Sequence, residues 1–196
     1  MRQAKDIMVN PFDQGYYTSE ELETMGFKNI GDNVQIAKNC TIVGLQNISI
    51  KHNVRIDDGA QIICANGYLN IGKYVHICGN TLIACAGGVE INDFSSVAQG
   101  VRIYSRSDDF SGKTLTNGIV PSSLVKVVDK AITIDRHVII GANAVILPGV
   151  SIGEGTAVGA LSLIKDNLDA WSIYAGTPAK KINTRKKDLL EYEKLI

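Results

Sequence analysis

Three histidines, His52, His76 and His137, are the side chains best suited to move a proton near neutral pH. His76 stands two residues before Cys78, a spacing that turns both side chains to the same side of an extended strand. An imidazole beside a thiol suits general-base work. It suits a cysteine nucleophile less well, because a thiol needs a basic cluster to ionise it and only His76 is at hand. Asp108 and Asp109 are adjacent carboxylates of the kind that orient an imidazole and stabilise its charged form, although such a pair also caps turns. Cys40, Cys64, Cys78 and Cys85 form no CxxC pair and no zinc-ligand spacing. They read as structural or simply reduced thiols, and no metal is expected.

What must hold these groups is a repeat. In IDRHVIIGANAVILPGVSIGEGTAVGALSLI, aliphatic residues fall at Ile134, Ile140, Ile146, Ile152, Val158 and Ile164, a strict period of six. The fifth place of the hexads is small or β-branched: Val138, Ala144, Val150, Thr156, Ser162. The same rule yields the triplets Ile30/Ile36/Ile42, Ile50/Ile56/Ile62, Ile71/Ile77/Ile83 and Ile91/Val97/Ile103. A period of six is neither helical nor plain strand alternation. Three short strands joined by tight turns make one triangular coil, whose aliphatic residue points inward onto its counterpart one coil away. The expected fold is all-β: a left-handed parallel β-helix of about six coils over 30–168. A segment with a short helix (1–29) precedes it, and a turn and helix (169–196) follow. Thr18 and Glu21 form a capping-box pattern for the first helix. Coils begin at positions 30, 50, 71, 91, 134 and 152, so every insertion leaves from the same corner, and one, spanning 104–133, is long. A long loop on a rigid scaffold is a place for function.

With the coils in place, the chain resembles the bacterial sugar O-acetyltransferases of the hexapeptide family, such as the galactoside and maltose acetyltransferases and polysaccharide-modifying transferases. The likeness covers about Ile71 to Ile182 and is most specific in IGANAVILPGVSIGEGTAVGALS and AGTPAKKI. It implies acetyl-CoA as co-substrate and a homotrimer with sites between subunits. Gly141, Ala142, Gly159 and Ala160 match the family's pantetheine-contacting positions. Lys165-Asp166 stands where relatives have Thr-Lys, leaving Lys165, Lys180, Lys181 and Arg185 as candidates for the CoA phosphates. The family's base histidine falls at Asp108, and an acceptor-contacting asparagine falls at Cys78. His76, beside Cys78, is therefore the expected base, oriented by Asp108 and Asp109, with a backbone amide near Ala142 steadying the oxyanion. Strands of about four residues separate prism corners by roughly 13 Å, so His76 and the loop are expected to meet across a subunit interface. Ser107 and Phe110 in the loop suit a carbohydrate acceptor, Phe110 by stacking on a sugar face.

The expected reaction is acetyl transfer to a sugar hydroxyl by direct attack in a ternary complex. The first alternative is N-acetylation of a nucleotide-linked amino sugar, where a neutral amine needs less help from a base. A non-catalytic β-helix scaffold is the second. A γ-type carbonic anhydrase is excluded, because the three histidines occupy different columns of the prism and form no close pair. Basic and acidic residues balance at 20 each, which gives no electrostatic case for nucleic acid or a membrane surface. The start, MRQAKDIMVNPFDQGYY, lacks a signal-peptide core, and no apolar run suits a membrane span. A cytoplasmic protein is expected.

Overall fold

A computed structural model describes Asn10 and residues 12–196; the part of the N-terminal expectation that falls on 1–9 and 11 lies outside the described residues. The chain winds into a triangular prism with one strand per face in each coil. Coil three shows the plan: Leu69–Ile71 on face one, His76–Ile77 on face two, Leu82–Ala84 on face three. Parallel pairing links each strand to the same strand of the next coil. On face two, Ile56 pairs with Ile77, Ile77 with Val97, Val97 with Ile140 and Ile140 with Val158. Six full coils match the six triplets of the repeat. A partial seventh, formed by Leu168 bridging to Ile152 and by Ser172–Ala175 pairing on Ala157–Val158, was not foreseen.

The inward column is a single continuous core. Ile56, Ile77, Ile103, Ile140 and Ile164 are fully buried. Burial of each such side chain contributes about 1.5–3 kcal/mol, and each depends on its neighbours one coil away. The small fifth residues are buried too, and two also satisfy backbone: Thr156 donates to the Asp169 carbonyl at 2.7 Å and Ser162 to Gly159 at 2.8 Å.

Both ends of the prism are covered. At the start, Tyr16–Tyr17 runs antiparallel on Val34–Ala37, and helix α1 (Ser19–Glu23) buries Leu22 against coil one. Glu21 accepts the Thr18 N–H at 2.8 Å, as the capping pattern requires. At the far end a strand, Lys180–Thr184, returns antiparallel on Ser172–Ala175 before helix α2 (Leu189–Glu193). That strand corrects the expectation of a simple turn and helix. Among the described residues, no helix is long and apolar enough to cross a membrane.

Insertions leave only from the corner between faces three and one. The long one is an arm: Arg106–Asp108 pairs antiparallel with Val127–Asp129, and the Arg106 guanidinium grips the Asp129 carboxylate through two bonds of 2.6 and 2.7 Å. Buried Ser105 pins its neck, donating to the Ala84 carbonyl and accepting the Gly87 N–H.

Candidate active site

Face two carries its outward side chains in two columns. One contains Gln35, Arg55, His76, Ser96 and Ile139. The other, two residues further on, contains Asp57, Cys78, Ala98 and Gly141. His76 and Cys78 share this face as their spacing required, with Sγ 3.8 Å from Nδ1.

The carboxylate at His76 is not the expected one. Asp57, one coil earlier, holds Nε2 at 2.8 Å through Oδ2. Its Oδ1 accepts from Arg55 Nε at 2.6 Å and from the Tyr16 hydroxyl at 3.0 Å, and Arg55 also donates to that hydroxyl at 2.7 Å. The Arg55 guanidinium lies over the Tyr16 ring, 4.9 Å from its centre. Burial opposes ionisation of Asp57, but hydrogen bonds from His76, Arg55 and Tyr16 outweigh it and hold its carboxyl below the ordinary value. Burial and the neighbouring Asp57 raise the Tyr16 hydroxyl. An ionised Asp57 at Nε2 leaves Nδ1 as the nitrogen free to accept a proton.

Within one chain Asp108 and Asp109 do not meet His76, as expected of groups at different corners of the prism. Asp108 lies in the arm opposite Val127. Asp109 caps the arm's own turn, accepting from Ser111 N at 2.8 Å and from Thr114 N and Oγ1 at 3.1 and 3.0 Å, which lowers its pKa to about 2. Ser107 donates to the Asp108 carbonyl and lies beside Ile63 and Ala84 of face three, and Phe110 stands 93% exposed in the arm. Burial, then the neighbouring Asp57, pushes the Cys78 thiol up. Asp57, His76 and Cys78 do bring three ligand-type atoms within 4.8 Å of one another. The Asp57 carboxylate in that cluster is already engaged by Arg55, Tyr16 and His76, which makes it a hydrogen-bonded dyad with a sulfur beside it.

Gly141 and Gly159 lie in the Cys78 column, in coils five and six. A Cβ on Gly141 would stand 2.5 Å from Ala160 N, and one on Gly159 3.0 Å from the Ala175 Cβ, so coil stacking alone demands small residues here. The following turn amides of Gly79, Gln99, Ala142 and Ala160 donate to no acceptor among the described residues. They form a rail of free N–H groups, one per coil, along the edge of face two. Ala142 lies two coils from Cys78, roughly 10 Å away. Within one chain the amide nearest Cys78 is that of Gly79. Lys165 pairs with Asp166 at 3.3 Å, and Lys180 lies exposed on the returning strand. Arg185 is committed elsewhere, donating to the carbonyls of His137 at 2.7 Å and Gly155 at 3.0 Å.

The other histidines are structural. His52 Nδ1 accepts the Asp32 N–H at 2.9 Å. His137 is only 7% exposed, and its Nε2 meets Glu193 of α2 at 2.8 Å.

The chain is similar to known proteins. The bacterial transferase hexapeptide (six repeats) model fits residues 131–166. The dTDP-4-amino-4,6-dideoxy-D-glucose acyltransferase of Escherichia coli is 39% identical over 92% of this chain and 94% of its own. The chain belongs to the hexapeptide-repeat transferases. AntD, an N-acyltransferase from Bacillus cereus solved with dTDP and 3-hydroxybutyryl-CoA, is a structural relative of this hexapeptide transferase at 40% identity. It superposes with a TM-score of 0.88 over 93% of this chain and 96% of AntD. The putative lipopolysaccharide biosynthesis O-acetyl transferase WbbJ of Escherichia coli K12 is more distant, 26% identical over 76% of this chain and 74% of its own. This hexapeptide transferase is thus an enzyme, an acyltransferase, and the scaffold alternative falls.

Proposed function

We propose that this enzyme transfers an acyl group from acyl-CoA to the amino group of a dTDP-linked amino sugar. The observation that carries the reading is the near full-length likeness to two enzymes whose names specify N-acylation chemistry or a dTDP-amino sugar. It favours the amine alternative over the hydroxyl acceptor expected first. The weaker match to an O-acetyl transferase is consistent only with the broader class of sugar acylation.

The site suits the reaction. The pantetheine arm runs along the amide rail beside Gly141 and Gly159, with the thioester at the Cys78 end. The amine nitrogen attacks the thioester carbon; the new C–N bond forms as the C–S bond breaks. His76 takes the surplus amine proton on Nδ1 and passes it to the departing CoA sulfur, while Asp57 steadies the imidazolium. The Gly79 N–H faces the developing oxyanion. No acyl-enzyme is needed. A trimer with sites between subunits belongs to the same reading. It would let the arm's exposed Phe110 and Ile119 reach a neighbouring site, and light scattering on the purified protein tests it.

The deciding experiment is CoA release from acetyl-CoA and longer acyl-CoAs with dTDP-amino sugars, other nucleotide amino sugars and hydroxyl-only sugars. Turnover confined to amines supports the reading. Turnover with hydroxyl-only sugars at equal or higher kcat/KM overturns it.

A further inference from the structure

The corner between faces one and two is built from residues in the left-handed region, and four of them carry rings. Tyr74 (φ 56°), Phe94 (61°), His137 (59°) and Trp171 (53°) are bulky residues in a conformation that usually goes to glycine or asparagine. Their rings form a ladder. Tyr74 and Phe94 stack at 5.0 Å and 5°, Phe94 and His137 at 5.0 Å and 10°, and Trp171 reaches His137 at 6.4 Å over Gly155. The ladder stops at Tyr74. In coils two and one the same column holds Asn53 and Asn33, which bond to each other at 2.8 Å through Asn33 Nδ2 and Asn53 Oδ1. Asn53 is too short to cover the outer part of the Tyr74 ring, which is 39% exposed. A cavity of about 300 Å³ opens at this place, lined by Asn33, Gln35, Asn53 and Tyr74, and it continues to Arg55 and His76.

We infer that this missing rung is the seat of the pyrimidine base of a nucleoside-diphosphate acceptor; the inference deepens the amino-sugar reading above and rests on it. A planar base continues the ladder on the free face of Tyr74, where stacking is favourable for any π-face. The amides supply the selectivity. Asn53 Oδ1 is taken by Asn33, so Asn53 offers its NH2 to a base carbonyl, and Gln35 offers both a donor and an acceptor. Arg55, in the next column, brings positive charge to the place where the diphosphate would cross the face. From Tyr74 to Cys78 is four residues of extended chain, roughly 13 Å, a span that base, pentose and diphosphate together can cover. The sugar amine then arrives between His76 and the Gly79 amide. The adenine of CoA is the rival ring, but the amide rail lies along the opposite edge of face two.

Calorimetric titration with dTDP and, separately, with CoA tests the seat in wild type, Tyr74→Asn and Tyr74→Phe. Asparagine tolerates the left-handed backbone, as Asn33 and Asn53 do, so Tyr74→Asn removes the ring without straining the turn. The expected result is dTDP affinity reduced about tenfold or more in Tyr74→Asn, retained in Tyr74→Phe, with CoA affinity unchanged in both. Unchanged dTDP affinity in Tyr74→Asn, or a loss of CoA affinity instead, overturns the seat. If wild type acylates a dTDP-amino sugar and Tyr74→Asn does so with the same KM, the seat alone is wrong. If wild type neither binds dTDP nor acylates any nucleotide-linked amine, the seat and the proposed function fall together.

Discussion

Coils two and three and coils five and six are built on the same interior and carry opposite exteriors. Inside, Ile56 and Ile77 at one end and Ile140 and Val158 at the other are equally buried and continue one stack. Outside, the early coils carry Arg55, Asp57, His76 and Cys78, whereas the late coils carry Ile139, Gly141, Ala157 and Gly159 at the equivalent places. The early half of the face is crowded with charged and hydrogen-bonding groups; the late half leaves its backbone open. The inward residues specify the fold, and the outward ones are left free to differ in chemistry from coil to coil.

The comparison breaks first at His76. His76→Ala is expected to lower kcat/KM by about 10²–10⁴, with acyl-CoA affinity near wild type and the β-helix still folded. A fall of less than a few-fold would leave the early coils without a base. Next, Ile77→Ala and Ile140→Ala should each cost about 2–5 kcal/mol of stability by chemical denaturation. Similar costs would confirm that the two regions differ only outside. Gly141→Ala is expected to destabilise by about 1–3 kcal/mol, because its Cβ would meet Ala160 N at 2.5 Å. A mutant as stable as wild type would show that this glycine serves the ligand rather than the stack.

Asp57→Asn sharpens the comparison through pH. The folded pKa of Asp57 is depressed, so its stabilisation is complete above the unfolded aspartate value of about 3.9 and is lost as pH falls through the lower folded value. The melting temperatures of wild type and Asp57→Asn should therefore differ at neutral pH, begin to approach one another below about pH 4, and converge only below the depressed folded value. A difference that persists undiminished there would detach Asp57 from the dyad. The smallest effect belongs to Asp109→Asn. Turnover should stay within about twofold, because Asp109 serves the arm's own turn while Asp57 holds His76.

The fold was legible because its code is periodic: one aliphatic residue in six is enough to count coils and to assign every insertion to one corner. The dyad was harder to read. Asp57 and His76 are 19 residues apart and meet only because adjacent coils stack. Still, the interval from coil two to coil three puts Asp57 in the column of Cys78, so the contact could have been derived by adding the coil length to each polar outward residue. The resemblance points instead to Asp108, which follows from no such addition. His137 is hard to read for a related reason. Taken alone it is a turn residue; taken with Tyr74 and Phe94 at the same place in their coils, it is a rung in a stack. The partial seventh coil and the returning strand escaped because their residues no longer follow the hexad rule.

The neck at Ser105 makes the arm a detachable module. Its hydroxyl and carbonyl bind Ala84, Gly87 and Lys130, so the strands on either side are held in register whatever lies between Arg106 and Asp129. Doubling the length of such a closed loop costs only about 0.6 kcal/mol. The edge between faces three and one is thus a socket into which arms of other lengths and contents can be grafted while the proton-handling face, round the other side of the prism, is left as it is.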